Sequence, residues 1–484
     1  MAGAPLGNNA GTMFEVPVEP RSLEAFRALL EPADHHRLER SVERFRDVLG
    51  DRRLWHVNST KQGGGVAELL STLLPYLAGA GVDVHWLVIE GTEEFFELTK
   101  RLHNHLHDAD GDARPLGDGD RTVYDQSLAR EVAAVETVVG AGDLAILHDP
   151  QTAGLLPSVG ARGTTTLWRC HIGVDEPGPL AKDAWSFLSG DVAAAQRCIF
   201  SRPSYVWEGI DPERVAIIPP CIDVASPKNH PMSDATTAAV LDIIGVVPAS
   251  GTGGIPEFVG TDGTPGTVQR RAAVTETAPI PTDAAIVLQV SRWDRLKDPQ
   301  GVLHGFAAGV LPKHGDAHLV LAGPETAAVD DDPEGAETFA KVVRDWEGLP
   351  SAARDRSHLV RLPMDDDDAN SAMVNALQRR ADVVVQKSLA EGFGLTVAEA
   401  MWKQRPVIAS RVGGIQDQIV DGESGVFLDD PTDVETFGRA VAELLGDPAC
   451  AEAIGDAARQ RVCDCFLPTH HFEKEARVLD EVLD

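Results

Sequence analysis

Short apolar runs alternate along this chain with longer stretches whose apolar positions recur at helical spacing. The runs read as buried parallel strands and the stretches as helices laid against them. Residues 22–50, rich in Arg and Glu, have the spacing of amphipathic helices, whereas residues 1–20 are expected to be disordered or loosely docked. Strands are predicted at Leu54–Val57, Val84–Ile89, Leu144–Leu147, Thr164–Trp168, Cys198–Ser201 and Val215–Pro219. The first runs into Asn58–Gly65 and an apolar-periodic helix from Val66 to Leu77. A second series is predicted at Ile286–Val290, His318–Ala322, His358–Arg361, Asp382–Gln386, Pro406–Ala409 and Gly425–Leu428. Residues 432–482 read as helical to the end, and residues 246–282 are rich in Gly, Pro and Thr with little periodicity.

Two successive series of strand–helix units describe an α/β protein with two doubly wound, Rossmann-like domains facing across a cleft. The expected layout has a helical extension over 1–50 and a first domain over 51–224. A linker with an inserted loop follows over 225–283, then a second domain over 284–465. A final helix over 466–484 is expected to pack back towards the first domain. The length of 484 residues exceeds one ordinary core, and a hydrophobic content of 43% can fill two. Ligands in such sheets bind beyond the carboxyl ends of the strands, so the chemistry is sought there.

Charge narrows the partners. Against 43 basic residues stand 75 acidic ones, a formal net charge of −32. Such a chain repels nucleic acid and anionic membrane surfaces, and any phosphate site must be a local basic pocket. The opening residues lack a basic region followed by an apolar run, and no stretch reads as a membrane span. Six cysteines in a chain of this length are no disulfide framework, so a cytoplasmic protein with free thiols is expected. Cys463, Cys465, His470 and His471 fit no common zinc spacing and read as a surface helix end.

Two segments carry candidate donor chemistry. Arg292 and Lys297 follow the strand Ile286–Val290, at its carboxyl end. Arg can grip two phosphate oxygens at once and Lys supplies a point charge. By themselves they are either a diphosphate clamp or two solvated surface cations. The string Glu391-Gly-Phe-Gly-Leu-Thr-Val-Ala-Glu399 follows another buried strand. Its glycines allow close backbone approach, and the helix from Leu395 would point amino-end N–H groups at an anion. A carboxylate such as Glu399 suits a pair of ribose hydroxyls; Glu391, in the turn, could orient sugar hydroxyls or meet positive charge at an anomeric carbon.

That string resembles the Glu-x7-Glu motif of retaining glycosyltransferase family four, whose members have the two-domain GT-B fold. Further passages are similar to its trehalose glycosyltransferring synthase subgroup. They include Trp55–Thr60 with Gly63–Glu68, Val88–Gly91, Glu94–Phe96, His148–Gln151, Trp168–His171, Pro219–Asp223, Val290–Asp294 and Asn375–Gln378. The resemblance covers roughly residues 50–230 and 284–480, and the segment 231–283 is longer than the subgroup's usual connection. It implies a nucleotide-diphosphate glucose donor, a small sugar or other small-molecule acceptor, retained anomeric configuration and, with glucose as acceptor, α,α-trehalose. It implies donor contacts from Gly64, Gly65, Arg292, Lys297, Glu391, Gly392, Phe393, Gly394, Leu395, Thr396 and Glu399. His171, Arg292, Lys297 and Glu391 would act in the transfer itself. No cofactor and no metal is implied, because Arg292, Lys297 and a helix amino end take a cation's place. The subgroup also implies a homodimer.

On the acceptor side the resemblance implies Glu90, Lys100, Asn104, His148, Asp149 and His171, with His171 near the reacting sugar. Read from the chain alone, His171 ends a strand and is either a cleft residue or a satisfied core histidine. His103, His105 and His107 lack a completing carboxylate and read as a solvated helix face. Asp330–Asp332 and Asp365–Asp368 read as solvated loops rather than magnesium ligands. A dehydrogenase is a poor fit, since no Gly-x-Gly-x-x-Gly follows the first strand. A different acceptor, such as a specialised-metabolite sugar, alcohol or thiol, stays open, as does a non-catalytic sugar-nucleotide binding protein. The base is not legible: uridine, guanosine and adenosine donors all fit.

Overall fold

The computed structural model describes residues 13–61, 65–109, 114–249, 254–326 and 333–483. The chain forms two compact units, one running to Cys221 and resumed from Pro468, the other spanning Ile222 to Leu467.

Seven strands make the sheet of the first unit: β1 (Phe14–Val16), β2 (Leu54–Asn58), β3 (Val84–Val88), β4 (Leu144–His148), β5 (Thr165–Cys170), β6 (Arg197–Phe200) and β7 (Val215–Ile217). Their order is β1-β3-β2-β4-β5-β6-β7. All neighbours are parallel except β1, which runs antiparallel to β3 with Phe14 opposite Val88. Helices cover both faces of such a sheet, so its central strands have few polar positions. Every residue of β2 and β4 is buried. Trp168 on β5 is fully buried and donates its indole N–H to the Asp149 carbonyl at 3.1 Å, tying β5 to the turn after β4. A buried aromatic of this size contributes roughly 1.5–3 kcal/mol through desolvation. The closing helix Pro468–Leu483 lies along the helix Pro32–Leu49. Phe45 and Phe472 meet edge to face at 6.3 Å there, and Arg44 donates to Asp480 at 2.6 Å.

The second unit repeats the plan. A small hairpin pairs β8 (Glu257–Val259) with β9 (Pro265–Thr267). The main sheet holds β10 (Ala273–Thr275), β11 (Ile286–Val290), β12 (His318–Pro324), β13 (Ser357–Leu362), β14 (Val383–Gln386), β15 (Val407–Ser410) and β16 (Val426–Leu428). Its order is β10-β13-β12-β11-β14-β15-β16, with only β10 antiparallel to its neighbour. Apart from the antiparallel edge strands β1 and β10, both sheets thus begin in the middle and grow first to one side and then to the other. The crevice where the direction reverses is the expected ligand site in each. It lies between β2 and β4 in one sheet and between β11 and β14 in the other.

Two sequence expectations are corrected. Residues 225–283 are not a linker with an inserted loop between the two units. They belong to the second unit from Ile222 onward and supply the helix Asp234–Ile244, the β8–β9 hairpin and the edge strand β10. Ser233 caps that helix, accepting from the Thr236 N–H at 3.1 Å, and Val240, Leu241 and Ile244 bury its apolar face. The strands, three residues each, are too short for alternation to show through the Gly, Pro and Thr around them. Within residues 1–20, Phe14–Val16 are likewise docked as a sheet edge.

Candidate active site

In the second unit the reversal point brings together both donor segments. β11 and β14 are parallel neighbours, Val287 opposite Val383, so the loops leaving their carboxyl ends lie side by side. The β11 loop is pinned from within. Gln289 donates to Ser291 Oγ at 3.1 Å and to the Lys297 carbonyl at 3.0 Å. Asp294 accepts from the Leu296 N–H at 2.8 Å. Asp298 sits in the left-handed region at φ 47°, caps the helix Pro299–Gly305 through the Gly301 N–H, and pairs with the fully buried Lys387 from the β14 loop. The Leu389 N–H donates to the Leu296 carbonyl at 2.7 Å, closing loop onto loop.

On this frame Lys297 Nζ lies 2.6 Å from Glu391 Oε2, both side chains mostly buried. Arg292 stands out from the same loop with 62% of its side chain exposed, 3.5 Å from Asp294. Gly394 has φ 80° and opens the helix Leu395–Trp402, a turn that an L side chain would strain. Its Cβ would also meet Ile415 at 3.0 Å. The Gly392 carbonyl accepts from the Gly414 N–H at 2.9 Å, and the Phe393 carbonyl accepts from Gln418. Phe393 itself is buried, so only its backbone is available to a ligand. Leu395 and Thr396 open the helix, where amino-end N–H groups lack intrahelical partners.

Glu399 is 5% exposed and lies 3.5 Å from Lys228 Nζ. Beneath it the buried Lys403 donates to Asn229 Oδ1 at 2.9 Å, Gln378 Oε1 at 2.7 Å and the Glu399 carbonyl at 3.1 Å. Lys228, Asn229, Gln378, Lys387, Asp298 and Lys403 join the site with no local signal in the sequence. Gln378 closes the Asn375–Gln378 passage, but nothing in the sequence says that it and Lys228 meet at one helix.

In the first unit, β2 and β4 carry a chain of imidazoles. His56 Nδ1 is 3.0 Å from His148 Nε2, and His148 Nδ1 is 3.0 Å from His171 Nε2. Neighbouring rings stack at 5.3 Å. His56 and His148 are buried and His171 half-buried. Burial lowers the His56 pKa to about 4 and those of His148 and His171 well below the ordinary range, with the Arg169 charge adding to each. Asp149 takes φ 62° and accepts from the His171 N–H at 2.7 Å. Its burial outweighs that bond and the nearby Arg169, raising its pKa to about 7.

Glu90 is exposed after β3, while Lys100 and Asn104 lie one turn apart on the helix Glu93–Leu106. Among the described residues no side-chain hydrogen bond joins these three to the histidine chain. His107, at the end of that helix, does reach the Gly173 carbonyl at 3.1 Å, two residues beyond His171. Gly65 begins the helix Gly65–Gly79, while Gly64 and Asp330–Asp332 lie outside the described residues. His103, His105 and His107 are not a solvated face: His105 is fully buried because its helix packs on Pro179–Val192. His471 is no surface residue either. It is 2% exposed, accepts from Arg169 Nη1 at 3.2 Å and donates to the Pro219 carbonyl at 3.1 Å.

Among the described residues no helix is long and apolar enough to cross a membrane, and no group of three His, Cys, Asp or Glu is arranged to hold a metal ion. Residues 56–207 match the family description "Trehalose synthase, N-terminal domain" and residues 271–461 match "Glycosyl transferases group 1". Trehalose synthase from Rubrobacter xylanophilus is 32% identical over 96% of this chain and 97% of its own length. Trehalose synthase from Pyrococcus horikoshii is 32% identical over 96% and 97%. A trehalose-6-phosphate protein from E. coli, solved bound with UDP-2-fluoro glucose, shares the fold. Its TM-score is 0.63 at 13% identity, over 89% of this chain and 99% of that one. The two Rossmann-like sheets are those of the GT-B fold.

Proposed function

The chain belongs to the trehalose synthase family of glycosyltransferases, and from that premise we propose that it transfers glucose from a nucleotide-diphosphate donor to glucose, with retention, giving α,α-trehalose. One observation carries the donor half: Arg292, the Lys297–Glu391 pair and the amino end of the helix Leu395–Trp402 converge where the second sheet reverses direction. A related fold that has been solved with UDP-2-fluoro glucose supports a nucleotide-sugar donor.

Each group then has a task. Arg292 and Lys297 bind the diphosphate and stabilise the charge that grows on it as the glycosidic bond breaks. The N–H groups at Leu395 and Thr396 add a helix-end dipole of the same sign. Glu391, held beside Lys297, steadies positive charge on the anomeric carbon. Glu399, held by Lys228, takes the ribose hydroxyls. The leaving phosphate takes the acceptor's proton, so retention needs no protein nucleophile. These cationic groups fill the role a metal would otherwise have, and transfer proceeds without one. The acceptor is held by the first unit, with His171 as its contact and Asp149 fixing the backbone beneath it. Glu90, Lys100 and Asn104 form the outer acceptor contacts. Six free cysteines suit a reducing cytoplasm.

The test is direct. Incubating the protein with glucose and UDP-, GDP- or ADP-glucose in turn should yield trehalose and one equivalent of nucleoside diphosphate from at least one donor, in metal-free buffer. Diphosphate release without trehalose would point to another acceptor, and no release from any donor would defeat the assignment.

A further inference from the structure

Lys297 owes its place to its neighbours in the chain as well as to Glu391. The Leu296 carbonyl, just before it, accepts from the Leu389 N–H at 2.7 Å. Its own carbonyl accepts from Gln289 Nε2 at 3.0 Å. The Asp298 carboxylate, just after it, pairs with Lys387. Leu389 and Lys387 both belong to the β14 loop, which also carries Glu391. Two ion pairs therefore cross between the loops with opposite polarity, Lys297 with Glu391 and Asp298 with Lys387. Each loop supplies one cation and one anion.

Stability does not account for the second pair. The Lys387 side chain is fully buried, and an ammonium taken out of water recovers its desolvation cost only through good pairing. Its Nζ also lies at the amino end of the helix Pro299–Gly305, where a Cβ on Gly301 would meet it at 2.7 Å. The helix dipole is positive there and disfavours a cation. Apolar side chains of the same volume often do as well or better in such a place. Asp298 meets both demands with one carboxylate, pairing with Lys387 and accepting from the Gly301 N–H at 3.0 Å. It does so from φ 47°, a left-handed backbone that a non-glycine residue keeps only where its surroundings hold it. What the pair fixes is the backbone of residue 298, one peptide bond from Lys297.

We propose that Lys387 is a positioning residue for the donor clamp: its buried pair with Asp298 holds the backbone beside Lys297 and so sets the Lys297 ammonium against Glu391 and the donor diphosphate. The diphosphate part rests on the function proposed above; the holding of Lys297 does not.

Lys387→Met fills the space and removes the charge. It should lower kcat/KM for the nucleotide-sugar about tenfold to a hundredfold, as a small misplacement of a clamp residue does. KM for glucose should stay within about twofold, since the acceptor contacts lie on the other unit. Introduced into Lys297→Ala enzyme, the same change should cost no more than about twofold further, because Lys387 acts through Lys297. A full additional loss in that background would overturn the proposal.

A second variant separates positioning from stability. Glycine takes a positive φ without strain and serves nearly as well as Asp at a helix amino end. Asp298→Gly combined with Lys387→Met thus removes both charges together. Its denaturation midpoint should return towards wild type while kcat/KM stays low, because nothing then holds residue 298. Activity that returned with stability would make the pair structural alone and overturn the proposal. Acetylation by acetic anhydride, followed at Lys297 by peptide mass spectrometry, reads the side chain without turnover. Lys297 should react slowly in wild-type protein and several-fold faster in Lys387→Met and in the double variant. An unchanged Lys297 rate in both, each still folded, would also overturn the proposal. A failed donor assignment would appear separately, as wild-type protein with a shielded Lys297 and no diphosphate release.

Discussion

Lys297 and Glu391, 94 residues apart in the chain, form a 2.6 Å ion pair across the point where the second sheet reverses direction. Both side chains are largely shielded, so neither charge is left to solvent. Truncating Lys297 to Ala removes a phosphate partner and strands a carboxylate beside the donor. We expect kcat/KM to fall about a hundredfold to a thousandfold, roughly 3–4 kcal/mol of transition-state stabilisation. Glu391→Gln should fall by a comparable factor, and the double variant by less than the sum of the two, because the groups act as one unit. Additive losses in steady-state kinetics would show that the pair is incidental.

Arg292 gives the complementary case. Its side chain is mostly exposed and its ion pair with Asp294 is long, so it contributes little to stability. Arg292→Ala should leave the unfolding free energy within about 0.5 kcal/mol of wild type. Transfer should nevertheless drop by about a hundredfold or more, since a bidentate phosphate contact is lost. Arg292→Lys should recover only part of it. Thermal melting and trehalose formation measured on one preparation decide the matter: an active Arg292→Ala enzyme rules out the clamp.

The parallel strands and the donor loops were legible because both are local. Buried parallel strands are continuous apolar runs, and Arg292, Lys297 and Glu391 each follow one directly. Residues 225–283 misled because the strands there are three residues long and owe their existence to pairing with a distant edge, Ala273 opposite Arg361. Burial was harder still. His105 and His471 look like surface histidines until the helices beside them are known. Lys228 and Lys403 gain meaning only when Glu399 lies between them in space, 171 residues beyond the one and four before the other.

Glu131 offers a test of burial in the first unit. It is 2% exposed and accepts from the Met13 N–H at 3.2 Å. Burial raises its pKa to about 7, against that bond and the Glu90 N–H, with the Glu90 charge adding. A carboxyl raised in the folded state favours folding fully only below its unfolded pKa near 4.3. That contribution is lost as pH climbs from there through about 7. Glu131→Gln removes the titration and keeps an acceptor oxygen. The variant should therefore be close to wild type near pH 4 and more stable by up to about 3 kcal/mol at pH 8. Denaturant melts at the two pH values measure the difference. An equal gap at both, or a variant less stable at high pH, would mean that Glu131 stays ionised.

Lys403 predicts a stability effect coupled to donor affinity. Its amino group donates to Asn229, Gln378 and the Glu399 carbonyl at the core of the second unit, where Trp402 also donates to the Asn229 carbonyl at 3.1 Å. Lys403→Met fills the space but leaves two side-chain acceptors without donors in a buried site. Breaking such a cluster costs about 3–5 kcal/mol. Denaturant melts followed by circular dichroism report this unit with the rest of the chain. We expect its transition to move to lower denaturant. Below that transition the folded variant should bind nucleotide-sugar about tenfold more weakly, because the turn of helix bearing Glu399 loses its support. Isothermal titration in native buffer reads the second effect apart from the first. Unchanged affinity alongside the lost stability would make Lys403 a structural residue alone and remove the link between this cluster and the ribose contact.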